Sequence, residues 1–306
     1  MKSIAYYLKN PYQVFEVLRS HNMTNWIPDE LYLRMLYKEY IGKNLNLKNP
    51  LTFNEKLQWL KLNDRNPLYT ELVDKHAVKQ YVEEKIGKEY VIPTIAMWER
   101  VEDINISNLP DRFVLKCTHD SGGVVICRDK GTFDLLSAQN KLKRNFKKNY
   151  YYSTREWPYK HVKPRIIAEP YLESENGNTL NDYKLLIFNG KHKCSFVCSG
   201  RNSEAGLHVT FYDPEWNVMP FERHYPRSSQ KQERPCSYKK MIQLAEMLSE
   251  GIPFVRVDFY EVGGNPYFGE MTFFPGGGFE EFSPEIWDRK LGDMLDITAV
   301  GERKQV

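Results

Sequence analysis

The chain is short of most features that mark a specialised environment. It has five cysteines in 306 residues, an odd number scattered from Cys117 to Cys236. Reduced thiols in a cytoplasmic protein are expected rather than a disulfide framework. No run approaches the roughly 18 apolar residues that a membrane-spanning helix needs. The opening stretch MKSIAYYLKNPYQVFEVL has no long apolar segment and no small-residue cleavage site, which argues against a secretory signal. Charge of one sign is scarce: 43 Lys and Arg against 40 Asp and Glu leave +3, too little to imply nucleic acid by itself. There is no G-x-x-x-x-G-K-[ST] phosphate loop, no D-x-D, no H-R-D and no D-F-G. P-loop enzymes, metal-dependent glycosyltransferases and protein kinases therefore lose their usual signatures. What remains is 41% hydrophobic, 14% aromatic and 27% charged, the balance of a folded chain of about two structural units.

Residues 1–66 read as helices. Asp29 is a candidate cap for a run carrying Leu31, Leu33, Met35 and Leu36. Thr52 with Glu55 forms a capping-box pattern ahead of Leu57 and Leu60. A third helix is expected over Pro67–Ile86, stopped by Gly87. From Tyr90 the period changes to that of strands: 113–117, 124–126 and 165–168, with a basic helix over 131–150. Tyr183–Phe188 and Lys191–Cys198 flank Asn189–Gly190, a strong hairpin signal. Ser237 is a candidate cap for a helix with Met241, Leu244, Ala245 and Leu248 on one face, ended by Gly251. Strands are expected over 252–260 and 266–272, and 199–236 reads as a long polar loop. The fold class expected is α+β with mostly antiparallel pairs.

Four constellations could carry chemistry. Lys116 ends a strand ahead of a turn holding Ser121, Gly122 and Gly123, whose N–H groups could cradle an anion; an ordinary turn with a snorkelling lysine fits the same residues. Arg256, Asp258, Glu270 and Thr272 lie on two consecutive strands. With a five-residue loop at 261–265, Arg256 falls opposite Glu270, Asp258 opposite Phe268, and Phe268, Glu270 and Thr272 share one face. A two-residue turn at Gly263–Gly264 would send the two carboxylates to opposite faces. Convergent carboxylates suit Mg²⁺ bridged to phosphate; a cross-strand Arg256–Glu270 ion pair fits as well. Asp182 and Lys184 enter an apolar strand, where the lysine is either an edge-protecting charge or a phosphate ligand. Glu169, Tyr171 and Leu172 surround a strand exit kinked by Pro170. Cys194 and Cys198, near His192 and His208, read as core thiols rather than a zinc site. His119 sits in the 118–123 turn, where an exposed histidine or a phosphate contact both fit.

Taken together and in order, these motifs resemble the ATP-grasp superfamily, and within it the TupA-like ATP-grasp proteins of bacterial surface-polysaccharide and teichuronopeptide biosynthesis. The resemblance covers about residues 50–290. Val73-Asp74-Lys75 with Val91-Ile92-Pro93 is similar to the D-K…P segment of biotin carboxylase and D-alanine–D-alanine ligase. Ile167-Ala168-Glu169-Pro170-Tyr171-Leu172 is similar to the adenine hinge, and Arg256-x-Asp258…Glu270-x-Thr272…Pro275-Gly276-Gly277-Gly278 to the R-x-D…E-x-N…PG signature, with Thr272 where Asn is usual.

The resemblance implies an ATP-grasp fold of two α+β subdomains clasping ATP, behind a helical leader: residues 1–90 mainly helical, 91–172 the lid subdomain, 173–306 the catalytic subdomain. It implies an ATP- and Mg²⁺-dependent carboxylate–amine ligase working through an acyl phosphate. Lys75 and Lys116 would bind the α/β-phosphates under the Ser121-Gly122-Gly123 loop, Lys184 beside Asp182 the γ-phosphate, and Glu169, Tyr171 and Leu172 the adenine. Asp258, Glu270 and Thr272 would hold metal, while Arg256 with Gly276, Gly277 and Gly278 would meet the substrate carboxylate. The implied partners are an amino acid or other amine and a uronic-acid-containing glycan or its lipid- or nucleotide-linked precursor, without nucleic acid; peripheral membrane association and oligomeric state are left open. Between 141 and 165, nine Lys/Arg against one acid, Glu156, alternate with Tyr150, Tyr151, Tyr152, Trp157 and Tyr159. That segment suits an anionic sugar or a solvated helix with aromatics in the core.

Overall fold

The computed structural model describes residues 11–21, 23–173, 180–200 and 206–303. Two antiparallel sheets organise it. One has four strands in the order β1-β4-β2-β3, with β1 Ala96–Trp98, β2 Phe113–Cys117, β3 Val124–Cys127 and β4 Ile166–Pro170. The other has five, in the order β10-β9-β5-β6-β7, with β5 Asp182–Phe188, β6 Lys191–Ser199, β7 His208–Tyr212, β9 Phe254–Val262 and β10 Asn265–Thr272. A two-residue β8, Glu222–Arg223, pairs with β11, Phe282–Ser283. The expected α+β class with antiparallel pairing is what the chain forms. Among the described residues no helix is long and apolar enough to cross a membrane.

The leader comprises α1 Pro11–Ser20, α2 Asp29–Ile41 and α3 Phe53–Asn63. Thr52 and Glu55 form the expected reciprocal capping box on α3. Asp29 does not cap α2: Pro28 is the cap residue, and the Asp29 carboxylate instead accepts from the Tyr151 hydroxyl and pairs with Arg155. The single helix expected over 67–86 is broken into α4 Leu68–Val73 and α5 Val78–Ile86. Asp74 causes the break. Its Oδ1 accepts from the N–H groups of His76 and Ala77, and the Lys75 N–H donates to the Thr118 carbonyl at 3.1 Å, so the helical ladder is interrupted by side-chain competition. The basic helix expected over 131–150 forms as α6, Leu135–Phe146, and a single turn, α7, follows at Tyr151–Thr154.

The Asn189–Gly190 hairpin forms as expected, with φ 48° and 76°. In the last large helix, α8 Tyr238–Leu248, the face Met241, Leu244, Ala245 and Leu248 is buried against the five-stranded sheet. Ser237 precedes it, but its hydroxyl donates to Glu261 rather than capping. β7 and β8 lie in the stretch that reads as a loop, and Trp216 between them stacks on Tyr212 at 4.2 Å. Two helices, α9 Ile286–Asp293 and α10 Thr298–Arg303, close the described chain.

Candidate active site

β9 and β10 build the acidic centre. Their turn is the two-residue Gly263–Gly264, both at positive φ, with Val262 paired to Asn265. A turn of that length is the one expected to put the carboxylates on opposite faces, and the five-residue alternative does not occur. Alternation is nevertheless restored, because the register shifts between Phe268 and Glu270. Gly269 is an extra residue, a β-bulge. Beyond it Glu270 pairs with Asp258 and Thr272 with Arg256, while Phe268 pairs with Phe259 on the opposite, core face. Phe268 therefore does not share a face with Glu270.

The neighbouring β5 pairs Asp182 with Tyr260 and Lys184 with Asp258. One sheet face thus gathers Asp182, Lys184, Arg256, Asp258, Tyr260, Glu270 and Thr272. Arg256 donates from Nε and Nη2 to the two Asp258 oxygens, each at 2.7 Å, and from Nη2 to Glu270 Oε1 at 2.6 Å. The Lys184 ammonium, buried, is held by Asp182 and Asp258. Burial opposes its charge, but those two carboxylates raise its pKa above the ordinary value. Thr272 Oγ1 lies 3.4 Å from Glu270 Oε1.

The electrostatics link the two sheets. Burial acts to raise the pKa of Glu270, but Arg256, and after it Lys75, Lys184 and Lys116, overcome this and hold it down to about 2. Lys75, Lys116 and Lys184 thus all act on this one carboxylate. Lys75 emerges from the break between α4 and α5, and its ammonium donates to the Asp120 carbonyl in the 118–123 turn. Lys116 on β2 pairs with Glu169 on β4, Nζ to Oε2 at 2.5 Å. Lys79 takes the other oxygen, Oε1, at 2.6 Å. These cations, Lys116 before Lys79, keep the buried Glu169 carboxyl below its usual range against burial, which is the largest influence and acts the other way.

Within the turn, Ser121 and Gly122 are exposed and Gly123 is packed. A Cβ on Gly123 would stand 2.7 Å from both Asp120 carboxylate oxygens. His119 is buried, with its ring against Phe146 at 5.6 Å, so neither an exposed histidine nor a free phosphate contact describes it. Tyr171 and Leu172 leave β4 half-buried. Gly276, Gly277 and Gly278 all have positive φ, and α3 clamps them: Gln58 Nε2 donates to the carbonyls of Gly277 and Gly278, and Lys61 Nζ to that of Gly277 at 2.6 Å. The Gly277 N–H is already committed to the Phe274 carbonyl.

Sequence reasoning gives no site role to Tyr260, Lys79, Lys61 or Glu156. Tyr260 lies among Asp182, Glu270, Asp258 and Glu169, and these carboxylates, Asp182 foremost, push its hydroxyl far up; alternation with Arg256 and Asp258 is the signal available for it. Of the 141–165 segment, Tyr151, Trp157 and Tyr159 are core, and Arg155 is buried. No cluster of His, Cys, Asp or Glu suited to hold zinc occurs among the described residues, and the Cys194 thiol is pushed up to about 12 by burial.

Residues 55–296 match the family described as TupA-like ATPgrasp. The chain belongs to the TupA-like ATP-grasp family. No curated protein matches the sequence. Similar solved structures include the D-alanine–D-alanine ligase of Bacillus anthracis complexed with ATP, at 18% identity over 77% of this chain and 67% of that one, TM-score 0.44. The Helicobacter pylori D-alanine–D-alanine ligase matches at 13% over 80% and 69%, TM-score 0.42. The ATP-grasp ligase PsnB, complexed with a phosphomimetic variant of its minimal precursor, Mg and ADP, matches at 10% over 72% and 57%, TM-score 0.39.

Proposed function

We propose that the protein is an ATP-dependent carboxylate–amine ligase that works through an acyl phosphate. The observation that carries this is the shared sheet face, where Asp258 and Glu270 meet Lys184 and Arg256 and Glu270 also feels the charges of Lys116 on the other sheet and Lys75 in the break between α4 and α5. Such an array suits a triphosphate, whose transfer depends on positioning and charge more than on covalent help.

The donor set fits Mg²⁺, which prefers hard oxygens and binds through one or two carboxylates plus phosphates. Glu270 is the open ligand, with 38% of its side chain accessible, and Thr272 stands beside it. Asp258 is enclosed, both oxygens held by Arg256. When bound, Mg²⁺ would neutralise phosphate charge. Lys75 and Lys116 would hold the α/β-phosphates under the Ser121-Gly122-Gly123 turn, and Lys184, steadied by Asp182, the γ-phosphate. With both Glu169 oxygens on lysines, adenine recognition falls to the backbone at 170–172 beside Tyr171 and Leu172.

A substrate carboxylate oxygen would attack the γ-phosphorus and release ADP. An amine nitrogen would then attack the acyl carbon, lose a proton and expel phosphate. Arg256 is placed to hold the carboxylate and the oxyanion that follows, with the amides of Gly276 and Gly278 nearby. The acceptor proposed is a uronic-acid or peptide carboxylate on a bacterial surface polysaccharide precursor, joined to an amino acid or other amine in the cytoplasm. The family and the exposed bases around α6 support it. Thr272 in place of Asn favours one second reading, a non-catalytic ATP-binding protein. Incubation with Mg²⁺–ATP and a panel of amino acids and uronic acids, read as ADP release and product mass, separates the two. Lys116→Ala and Glu270→Gln should abolish turnover, and undiminished ADP from either would refute the ligase.

A further inference from the structure

Glu156 is a buried carboxylate that the ligase chemistry above leaves without a task. It follows α7 and sits against the glycine-rich turn: Thr154 Oγ1 donates to its Oε1 at 2.7 Å, and a Cβ on Gly277 would stand 2.9 Å from the Thr154 methyl. The buried cation that acts on it most strongly is Lys61, but that ammonium is fully used. Its three donors go to Gln58 Oε1 at 3.0 Å, the Thr154 carbonyl at 2.8 Å and the Gly277 carbonyl at 2.6 Å. No ion pair joins Lys61 to Glu156 among the described residues, so Glu156 keeps acceptor capacity for another donor.

Two aromatic side chains complete the surroundings. The rings of Tyr150 and Tyr159 meet edge to face at 4.9 Å. The Tyr150 hydroxyl is next to Ser121 of the phosphate-covering turn, and Glu156 is the foremost of the groups that push it up, ahead of burial and Glu270. Burial, then Glu156 and Glu270, do the same to Tyr159. Arg256 and Glu270 act on all three side chains of the cluster, and Thr154 ties it to Gly277 of the glycine-rich turn. A carboxylate beside aromatic rings in a desolvated corner is the chemistry that recognises an ammonium group.

We propose that Glu156, Tyr150 and Tyr159 form the subsite for the ammonium group of the amine substrate, holding its nitrogen beside the carboxylate that Arg256 binds. This rests on the ligase reading. Burial pushes the Glu156 carboxyl up and Lys61 pulls it down; a cation arriving at the subsite adds to the pull.

The test is thermal unfolding with Mg²⁺ and a non-hydrolysable ATP analogue, then with methyl esters of glycine, alanine, lysine and glutamate, each against its N-acetyl counterpart. The esters keep the ammonium and mask the carboxylate that would otherwise seek Arg256. At least one ester should raise the midpoint saturably, and its N-acetyl form should not. Glu156→Gln and, as a gentler change, Tyr150→Leu should keep the nucleotide shift and need about tenfold or more ester for the same effect. If no ester acts on the nucleotide-bound wild type, or Glu156→Gln responds as wild type does, the subsite is wrong and the ligase reading survives. If the nucleotide gives no shift, both fall.

Discussion

Asp258 and Glu270 face each other across two strands because Gly269 stands unpaired between Phe268 and Glu270. Were Gly269 paired with Asp258 instead, alternation from the tight Gly263–Gly264 turn would place Glu270 opposite Val257, on the core face. Deleting Gly269 would let Glu270 follow Phe268 directly and stay opposite Asp258. Gly269→Val is the sharper test: its Cβ would stand 3.1 Å from the Asp258 carbonyl oxygen and 3.3 Å from the Tyr260 ring, which should strain the bulge and favour the regular register that turns the carboxylate to the core face. ATP turnover should fall about 100-fold or more, with ADP release as the readout and the unfolding midpoint as the check on folding. Retained turnover would mean that Glu270 does not need this face.

Arg256 spans two carboxylates with three short bonds, which lysine cannot reproduce from a single nitrogen. Arg256→Lys should lower ADP formation by roughly 100-fold or more. Arg256→Met should cost about 3–5 kcal/mol by leaving Asp258 with Lys184 as its only cation, measurable by denaturant titration.

Glycines at similar backbone angles separate backbone strain from crowding. At Gly42 (φ 76°) an added methyl would find open space, whereas at Gly278 (φ 68°) it would collide with Gln58 Nε2 and stand 3.0 Å from Leu57 Cβ. Gly42→Ala should cost about 1 kcal/mol and Gly278→Ala about 2–4 kcal/mol. Equal losses in urea melts would show that α3 does not brace the turn.

His192 supplies a pH dependence away from the site. Its Nε2 is 2.8 Å from Ser195 Oγ, which meets the Tyr238 hydroxyl at 3.0 Å. Burial lowers its pKa from 6.5 to about 4, against the pull of Glu246. The folded-state value lies below the unfolded one, so the unfolded chain binds the extra proton. The contribution is intact above pH 6.5 and is lost as pH falls towards 4, roughly 3 kcal/mol in all. His192→Gln should flatten that part of the stability–pH curve.

Local grammar makes much of this legible. The Thr52–Glu55 box, the Asn189–Gly190 turn and the apolar face of α8 each depend on neighbours within one or two turns of chain, and they form as the residues suggest. The break after Val73 is hidden because it needs the Thr118 carbonyl, remote in sequence, to take the Lys75 N–H. The bulge is hidden because an isolated glycine does not announce whether it pairs. The burial of Glu156 and Lys61 has no local signal, because it needs α3 and the glycine-rich turn to close over them. The order of motifs exposes the family, while the partners of each charge depend on tertiary contacts.

Arg155 lies buried with its guanidinium 3.9 Å from the centre of the Tyr32 ring, and it donates to the Thr24 and Ile27 carbonyls. Tyr32 in turn donates to the carbonyls of Tyr152 and Ser153. The leader and the Tyr150–Glu156 corner are thus riveted by a cation neither could shelter alone. A chain started beyond Asp29 would strand that charge, and the corner beside Arg256 would loosen with it.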